Sequence, residues 1–497
     1  MDKPLQSLRI EKIKTATLVV LFLTTILLLS FFWKNVSLEG LPFAIRSMGD
    51  TTPRVVLSAQ QVLLPQKVEV NFGSGAYTES TGQEKEVWEA LVGVLTQISQ
   101  GETVLLEEIT PEQYQKVMEF RSIRADFGYS IPFQDLCKQY QIKRHQSMEG
   151  VQRVSSMSFS TGSPESFLLV DAESGRYYRL VADQPLSPLS SLVDEIEAGG
   201  FTPYYEASTF FGVDNRTRMP VTLQTGLTQL PYETEFTTSE ADKIRALAES
   251  FFGSSFDFIR KITESDGSVV YLYGYGQKLF TLDQSGILEY KEDLAPAADE
   301  EQDFFASLDL ALQYLSFHGP ALGEDQALQL TLHKSTSIER GGNRGYRFVF
   351  GATLQGEKIF YASGSPLIIE IIGKQVVYFY RDLFWLPKDE LERVPELEKR
   401  EAYSIANVLA NNYRLLSEIL VKEGKLGADA KQASTFETIV DRITEVHYGY
   451  LKQSAGKDGE QAMLVPVWAV TIQGICFYFD IDDATALGYT VVSTGVL

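Results

Sequence analysis

Hydrophobic residues are concentrated most strongly near the start of the chain, in residues 15–33. This run of nineteen residues contains no charge, and twelve of its side chains are Leu, Val, Ile or Phe. A helix of this length reaches roughly 28 Å at about 1.5 Å per residue, close to the thickness of a bilayer core. The pattern predicts one transmembrane helix, with a membrane anchor that includes Leu18, Phe22, Leu29 and Trp33. The alternatives are a buried soluble helix or a cleaved signal peptide, whose apolar core is usually shorter, at about 7–15 residues.

The charges around this run predict its orientation. Residues 1–14 carry four basic and two acidic side chains, and basic flanks favour the cytoplasmic side. No second uncharged run of comparable length follows, so the chain from about residue 35 onward is expected outside the membrane. Residues 34–53 contain Gly40, Pro42, Gly49 and Pro53 and predict a juxtamembrane linker. The expected location is therefore the cell membrane, with a cytoplasmic N-terminus and an extracytoplasmic bulk.

Hydroxyl side chains inside the run suggest a contact face for a partner helix. Thr17 and Thr24 are seven residues apart, about two turns, and so share a face with Leu21 and Leu28. Helices in lipid associate through packing and interhelical hydrogen bonds, which makes this face a hypothesis for the contact. The alternative is that each threonine bonds only the backbone of its own helix.

The pattern after the linker predicts a mixed α/β domain over residues 54–236. Alternating apolar residues indicate half-buried strands, and apolar residues at helical spacing indicate helices. The Ile131-Pro132 dipeptide should end one strand and start a short helix. The predicted elements are a strand at 68–72, a helix at 84–98, a strand at 120–130, a helix at 133–140 and a hairpin within 166–180.

A central domain is predicted over residues 237–385. It should open with a helix to about residue 252, capped by Thr238 or Ser239. Strands are expected at 269–275, 278–282 and 287–291.

A pattern of helix, long strand, hairpin and strand then occurs twice. The first copy has a helix at 303–317 and strands at 328–333, 345–354, 357–361, 367–372 and 375–381. After a charged linker at 386–400, the C-terminal domain, 401–497, has a helix at 401–421 and strands at 443–450, 464–473 and 475–481. The predicted fold class is α+β: one transmembrane helix, then several domains of helix packed on antiparallel sheet, the last two repeat-like. Phe348 and Trp468 should lie in the cores of the two copies.

Charge excludes some classes of partner. The chain has a formal net charge of −22, and residues 1–34 carry five basic and two acidic side chains, so the remainder carries −25. Such an acidic surface repels nucleic acid and anionic lipid.

Cys137 and Cys476 have apolar or aromatic neighbours, which favours buried free thiols, although a long-range disulfide stays open.

The motifs of common enzymes are missing from the sequence. There is no G-x-S-x-G elbow, and Gly373-Lys374 lacks the rest of a phosphate-binding loop. No two of the four histidines are spaced i, i+4. The segment from Asp480 to Gly488 resembles part of a calcium loop, but it lacks the glycine and glutamate of that motif and predicts a hairpin turn. No catalytic residue, cofactor site or metal site is predicted, and His333 and His447, in corresponding strands of the two copies, are expected to share a packing role.

Three segments carry a resemblance to a known family. Residues 463–488 are similar to the closing segment of YycH- and YycI-type regulators: Leu464, Pro466 and Trp468 match a P-V-W strand, and residues 477–480 match its aromatic strand and turn. Residues 345–359 resemble the preceding module, and residues 127–136 resemble a segment of the first YycH domain. An N-terminal anchor before a large exterior part fits the YycH type better than the shorter YycI type.

The resemblance implies a non-enzymatic regulator of a WalK/YycG-type sensor histidine kinase in Gram-positive bacteria. Its partners would be the kinase and a YycI-like membrane protein, reached through exterior and transmembrane contacts.

Two other hypotheses for the function stay open. One is a ligand-binding or peptidase-restraining module of PepSY type, which a deep apolar pocket would support. The other is a cell-wall hydrolase, which a cleft lined by paired carboxylates would support.

Overall fold

Two large sheets form the framework of the computed structural model, which describes residues 56–80, 82–101, 104–295, 303–318, 327–393, 399–427, 435–455 and 461–491. These residues belong to one unit extending from Thr52 to Leu497. The domain boundaries predicted within it stay predictions. The predicted transmembrane helix, its flanks and the linker to residue 53 lie outside the described residues. Within the described ranges, no helix has both the length and the apolar character needed to cross a membrane.

The first sheet has nine antiparallel strands in the order β3-β7-β6-β5-β4-β1-β2-β8-β9. The strands are β1 (Lys67–Gly73), β2 (Ala76–Ser80), β3 (Leu105–Ile109), β4 (Ser122–Pro132), β5 (Arg153–Ser160), β6 (Ser166–Asp171), β7 (Arg176–Val181), β8 (Tyr204–Glu206) and β9 (Arg218–Pro220). The helices are α1 (Ala59–Val62), α2 (Glu84–Ser99), α3 (Pro111–Met118), α4 (Phe133–Gln139), α5 (Ser187–Ala198) and α6 (Ala207–Phe211), with a 3-10 turn at Gln146–Gly150.

The core of this half follows from its sequence periodicity. Trp88 and its apolar neighbours on α2 are buried, and the Trp88 ring meets Phe127 of β4 edge to face, with ring centroids 4.9 Å apart. Pro132 ends β4 and α4 begins at the next residue, as predicted. The predicted hairpin is confirmed as β6 and β7.

Three short strands lead from the first sheet toward the second. They are β10 (Gln224–Thr225), β11 (Leu230–Pro231) and β12 (Glu233–Thr234). A helix, α7 (Ala241–Phe252), and a 3-10 helix at Gly253–Phe258 follow them. The cap predicted for this helix is wrong, because α7 begins after Glu240 and the hydroxyls of Thr237 and Ser239 hydrogen-bond each other at 3.0 Å instead.

The second sheet has fourteen strands among the described residues, and twelve follow the order β13-β14-β15-β16-β21-β20-β18-β19-β24-β25-β26-β27. The other two, β17 and β11, pair with β18 and β25. The strands are β13 (Arg260–Thr263), β14 (Val269–Tyr273), β15 (Lys278–Leu282), β16 (Leu288–Glu292), β17 (Leu328–Arg340), β18 (Asn343–Leu354), β19 (Glu357–Tyr361), β20 (Leu367–Ile372), β21 (Gln375–Arg381), β24 (Ile443–Gln453), β25 (Met463–Ile472), β26 (Ile475–Asp480) and β27 (Ala486–Val491). Short strands β22 (Phe384–Trp385) and β23 (Arg400–Glu401) pair with β12 and β10.

Four further helices of the described ranges belong to this half of the protein. They are α8 (Phe304–Phe317), α9 (Lys388–Arg393), α10 (Ile405–Lys422) and α11 (Phe436–Val440). Along the chain, α8 precedes the neighbouring antiparallel strands β17, β18, β20 and β21. Helix α10 likewise precedes β24, β25, β26 and β27. The α+β class with antiparallel sheets is therefore observed, although β19 and β24, where the two runs meet, pair in parallel.

The two aromatic residues predicted in the cores are buried. Phe348 is fully buried, and Trp468 is 1% exposed and donates its indole N–H to the carbonyl of Tyr403 at 2.9 Å. The start predicted for α10 is wrong, because Ser404 caps the helix at Ile405, four residues later than expected. Residue 401 belongs instead to β23.

Both cysteines are buried free thiols, as the sequence favoured. Cys137 lies in α4 beneath the first sheet, and Cys476 lies in β26 of the second. Burial raises the pKa of each thiol to about 11. The disulfide alternative is therefore not realised.

Candidate functional site

A cleft of about 680 Å³ lies where the two sheets meet. This volume is in the range of ligand sites, but most of the lining side chains are polar. They include the hydroxyls of Thr78, Thr202, Thr225, Thr228, Tyr448 and Tyr450, the amides of Gln83, Gln224 and Gln355, and the carboxylates of Glu79, Glu357 and Glu392.

Long-range hydrogen bonds hold the walls of the cleft together. Thr78 of β2 donates its hydroxyl to the carbonyl of Thr202 at 2.8 Å, which joins the strand to the loop before β8. On the way to β9, the buried amide of Asn215 donates to the carbonyls of Val440 and Ile443 at 2.8 and 2.9 Å. These bonds fix the edge of the first sheet against the start of β24.

A group of acidic and basic side chains lies beside the cleft, and we call it the histidine cluster: Glu79, His333, Lys358, Glu445 and His447. The His447 ring contacts Glu79 (Nδ1 to Oε1, 3.5 Å) and Glu445 (Nε2 to Oε2, 3.7 Å). The ammonium of Lys358 lies 3.4 Å from Nε2 of the same ring. His333 is exposed and lies within electrostatic reach of His447 and Glu445.

Neighbouring basic side chains determine the ionisation of Glu79. Burial opposes its negative charge, but His447, Lys67 and Lys358 outweigh this effect and hold the pKa of Glu79 below its usual value. Lys67 reaches the second carboxylate oxygen at 3.8 Å. Contact with the His447 imidazole likewise lowers the pKa of the more exposed Glu445.

Glu357, which also lines the cleft, has a pKa displaced in the opposite direction. Burial, followed by the nearby carboxylate of Glu84, raises the pKa of Glu357 to about 7. The pKa of Glu84 is also raised by burial, although the backbone N–H of Gly82 donates to its carboxylate at 3.1 Å. The cleft therefore has one carboxyl that ionises easily and another that titrates near neutral pH.

A second group of charges lies at the segment that connects the two sheets, and we call it the linker lock: Glu235, Arg381, Asp382 and Lys452. The Arg381 guanidinium donates two hydrogen bonds to the Glu235 carboxylate, and both side chains are almost completely buried. The ammonium of Lys452 pairs with Asp382, which also accepts a bond from Ser363 at 3.0 Å. The lock joins the segment that carries β11 and β12 to the ends of β21 and β24.

The structure places the predicted sites as follows. The anchor residues Leu18, Phe22, Leu29 and Trp33 and the candidate helix face Thr17, Leu21, Thr24 and Leu28 lie outside the described residues. Residues 480–485 form the predicted turn, in which the backbone N–H of Asp482 donates to Asp480 and that of Thr485 to Asp483, both at 2.8 Å.

Sequence reasoning missed both charged groups. His333 and His447 were assigned a shared packing role in separate copies, whereas they lie near each other at one cluster. The deep burial of Glu235 and Arg381 was not foreseen either, because the two residues are 146 positions apart. The only sequence signal was a set of charged residues inside or next to otherwise apolar strands.

Neither a model of a protein family nor a curated protein matches the sequence. Among solved structures, YycH from Bacillus subtilis aligns with a TM-score of 0.53 over 89% of this chain and 99% of that chain, at 9% identity. The fold is of the YycH type. The C-terminal domain of YpeB from Bacillus megaterium aligns over 51% of this chain and 97% of that domain, at 12% identity and a TM-score of 0.22.

The YycH-type fold places the three family-like segments in regular structure. Residues 127–136 run from β4 into α4, residues 345–359 cover most of β18 and the start of β19, and residues 463–488 extend from β25 into β27. The resemblance seen in the sequence is therefore carried by strands of both sheets.

Proposed function

We propose that this protein is a membrane-anchored extracytoplasmic regulator of a WalK/YycG-type sensor histidine kinase, acting with a YycI-like membrane protein. The observation that carries the proposal is the alignment with YycH over nearly the full length of both chains. In this proposal the protein has no catalytic activity of its own and acts through contacts between proteins. The linker lock supports such a role, because it fixes the connecting segment on the second sheet and so helps to keep a constant surface for a partner.

The transmembrane part of the proposal rests on the predicted helix. The kinase helix would pack against the face formed by Thr17, Leu21, Thr24 and Leu28. Each threonine would contribute about 0.5–1.5 kcal/mol to the contact, which is enough to shift a balanced kinase several-fold.

The first test is topology and capture in the native membrane. Protease added to intact protoplasts should remove nearly the whole chain, and crosslinking in membranes should recover a sensor kinase. Protection of the bulk of the chain would contradict the topology. Recovery of a wall polymer or a peptidase without a kinase would contradict the regulator.

The second test separates faces of the helix. Changing Thr17 and Thr24 to Leu should alter kinase output several-fold, measured with a reporter gene, without altering protein level or topology. Thr15→Leu with Ser30→Leu is the matched control, since these residues lie elsewhere on the helix. Equal effects of the two pairs would show that the kinase does not read this face.

A second candidate function, a cell-wall hydrolase, is favoured by one observation. Glu79 and Glu357 both line the cleft, and their pKa values are displaced in opposite directions, which is a pattern of acid and base pairs in glycosidases. However, Glu79 is already engaged by His447 and Lys67. Release of soluble fragments from purified cell walls, abolished by Glu357→Gln, would support the hydrolase. No release by the unmodified protein would reject it.

The PepSY-type alternative gains less from the cleft. A module that binds apolar ligands or peptides needs a deep pocket with mainly apolar walls. The cleft between the sheets is lined mostly by hydroxyl, amide and carboxylate groups.

A further inference from the structure

Among the described residues, one end of the second sheet is an open edge. Strand β13 is the terminal strand of the sheet order and pairs with β14 on one side. All four of its residues are exposed. An edge of this kind presents backbone N–H and C=O groups on which another chain can pair.

Large apolar side chains surround this edge. Phe258 is 76% exposed, Ile262 is 39% exposed, and Tyr275 is completely exposed. Arg260 lies opposite Leu272, so Phe258, the last residue of the 3-10 helix before β13, lies at the same end of the sheet as the β14–β15 turn that contains Tyr275. The two aromatic rings therefore belong to the same corner of the sheet, and exposed apolar groups that cluster in this way mark contact surfaces.

The charge of the edge differs from that of the whole protein. Arg260 and Lys261 form no ion pair with a carboxylate of the described residues, and the Lys261 ammonium lies 5.7 Å from the centre of the Tyr271 ring. The chain as a whole carries −22. Two cations that pair with no described carboxylate, on the edge strand of such a protein, favour an acidic partner segment by charge complementarity.

We propose that the β13 edge, defined by Phe258, Arg260, Lys261, Ile262 and Tyr275, binds an extended acidic segment of a partner protein as an added strand. Backbone hydrogen bonds to β13 supply the pairing, Ile262 and the two aromatic rings supply apolar contact, and the two cations select acidic side chains. The inference rests on the proposed function only in that a regulator of that kind works through protein partners.

The same charges argue against a second copy of the chain as the occupant. Two β13 edges paired with each other would bring Arg260 and Lys261 close to their own copies, and like charges on neighbouring strands repel. Cations on an edge strand block such self-pairing while leaving the edge open to an acidic strand.

The test uses the full chain in nanodiscs of neutral phosphatidylcholine. The probes are two fluorescent peptides, one alternating Glu with Val and one alternating Lys with Val, and binding is measured by anisotropy. The acidic peptide should bind more tightly than the basic one, and its affinity should fall as salt increases. The double variant Arg260→Glu with Lys261→Glu should weaken binding of the acidic peptide about tenfold.

Matched variants separate this site from general electrostatics and from misfolding. Lys85→Glu with Lys116→Glu changes the net charge equally on exposed positions of α2 and α3, and should leave the affinity unchanged. Tyr275→Ser changes no charge and lies in an exposed turn, so the fold should persist while binding weakens a few-fold. Hydrogen exchange of the backbone amides in residues 260–263 should slow when the acidic peptide binds.

Three results would overturn the proposal. They are equal weakening by the two double variants, unchanged exchange in β13 at saturating acidic peptide, and a dimer of the unmodified protein that the Arg260→Glu and Lys261→Glu changes disperse. The last result would identify a second copy as the occupant. None of these measurements involves the kinase. Peptide binding as expected would therefore support the β13 site even where the kinase experiments contradict the proposed function.

Discussion

The linker lock and the histidine cluster are both built from acidic and basic side chains, but they differ in their access to water. In the lock, the side chains of Arg381 and Glu235 are 0% and 1% exposed. In the histidine cluster, His447 is 17% exposed and its partner Glu445 is 62% exposed. Breaking a fully buried pair leaves an uncompensated charge in the core, whereas water screens an exposed pair.

Because of this difference, we assign a structural role to the linker lock and a pH-dependent role to the histidine cluster. The lock holds the segment between the sheets by paired charges that cannot be removed singly without a large loss. The histidine cluster and the adjoining wall of the cleft contain carboxyls whose pKa values are displaced in opposite directions, so the local charge changes with pH. We therefore expect a large loss of stability at pH 7 when the Glu235–Arg381 pair of the lock is broken, and a contribution of the cleft carboxyls that changes with pH.

The largest effect is expected from Arg381→Met in the lock. The change leaves the Glu235 carboxylate buried and unpaired, so it should lower the free energy of unfolding by about 3–5 kcal/mol. Urea denaturation at pH 7 measures the loss. Arg400→Met is the control, because the Arg400–Asp482 pair is 37% and 52% exposed and should contribute at most about 1 kcal/mol. Similar losses from both variants would remove the distinction between buried and exposed pairs.

Trp468→Ala provides an uncharged reference of similar size. The side chain is 1% exposed in the core of the second sheet, and deleting a large buried aromatic usually costs about 3–5 kcal/mol. Its loss should be the same at pH 5 and pH 8, since the indole does not titrate. Trp468→Phe, which keeps most of the buried volume, should cost less, and a cost below about 1 kcal/mol for the alanine variant would contradict the burial of this residue.

Glu79→Gln should have a smaller effect that depends on pH. The pKa of Glu79 in the folded chain lies below that of an unfolded glutamate, so its ionised form stabilises the fold above about pH 4.5. This contribution is lost as the pH falls through the folded pKa. The variant should therefore be about 1–2 kcal/mol less stable at pH 7 and should approach the unmodified protein at lower pH. A cost that grows on acidification would show that the charge of Glu79 is not stabilising.

Glu357→Gln should have the opposite sign. Because the folded pKa of Glu357 is raised to about 7, the folded state binds the proton more tightly than the unfolded state between about pH 4.5 and pH 7. Stability from this residue is present at low pH and is lost as the pH rises through 7. Glutamine mimics the protonated form, so the variant should be about 1–3 kcal/mol more stable at pH 8 and should gain much less at pH 5.

The control for this last prediction is Glu89→Gln. Glu89 is 66% exposed on α2, and a surface change of this kind should alter stability by less than about 0.5 kcal/mol at either pH. A gain in stability from Glu357→Gln that is equal at pH 5 and pH 8 would not come from the titration of the carboxyl.

Sequence periodicity predicted most of the local structure. The predicted strands at 278–282, 357–361, 367–372 and 375–381 agree with β15, β19, β20 and β21. These predictions succeed because an alternating or helical pattern reports which side chains face a core, and that property depends on neighbours in the chain. Errors occurred at the start of α7, where two hydroxyl residues bond each other instead of capping the helix, and at the start of α10, where residues 400–401 pair as β23.

The pattern of side chains by itself determined the α+β class, the order of the elements and the burial of residues such as Trp468 and Phe348. Only the tertiary structure decided which distant strands became neighbours. The parallel pairing of β19 with β24 brings Lys358 to His447, and the path of the connecting segment brings Glu235 to Arg381. The physical reason is that periodicity shows which side of its own helix or strand a residue occupies. An ion pair between residues 70 to 146 positions apart depends instead on how whole elements pack against each other.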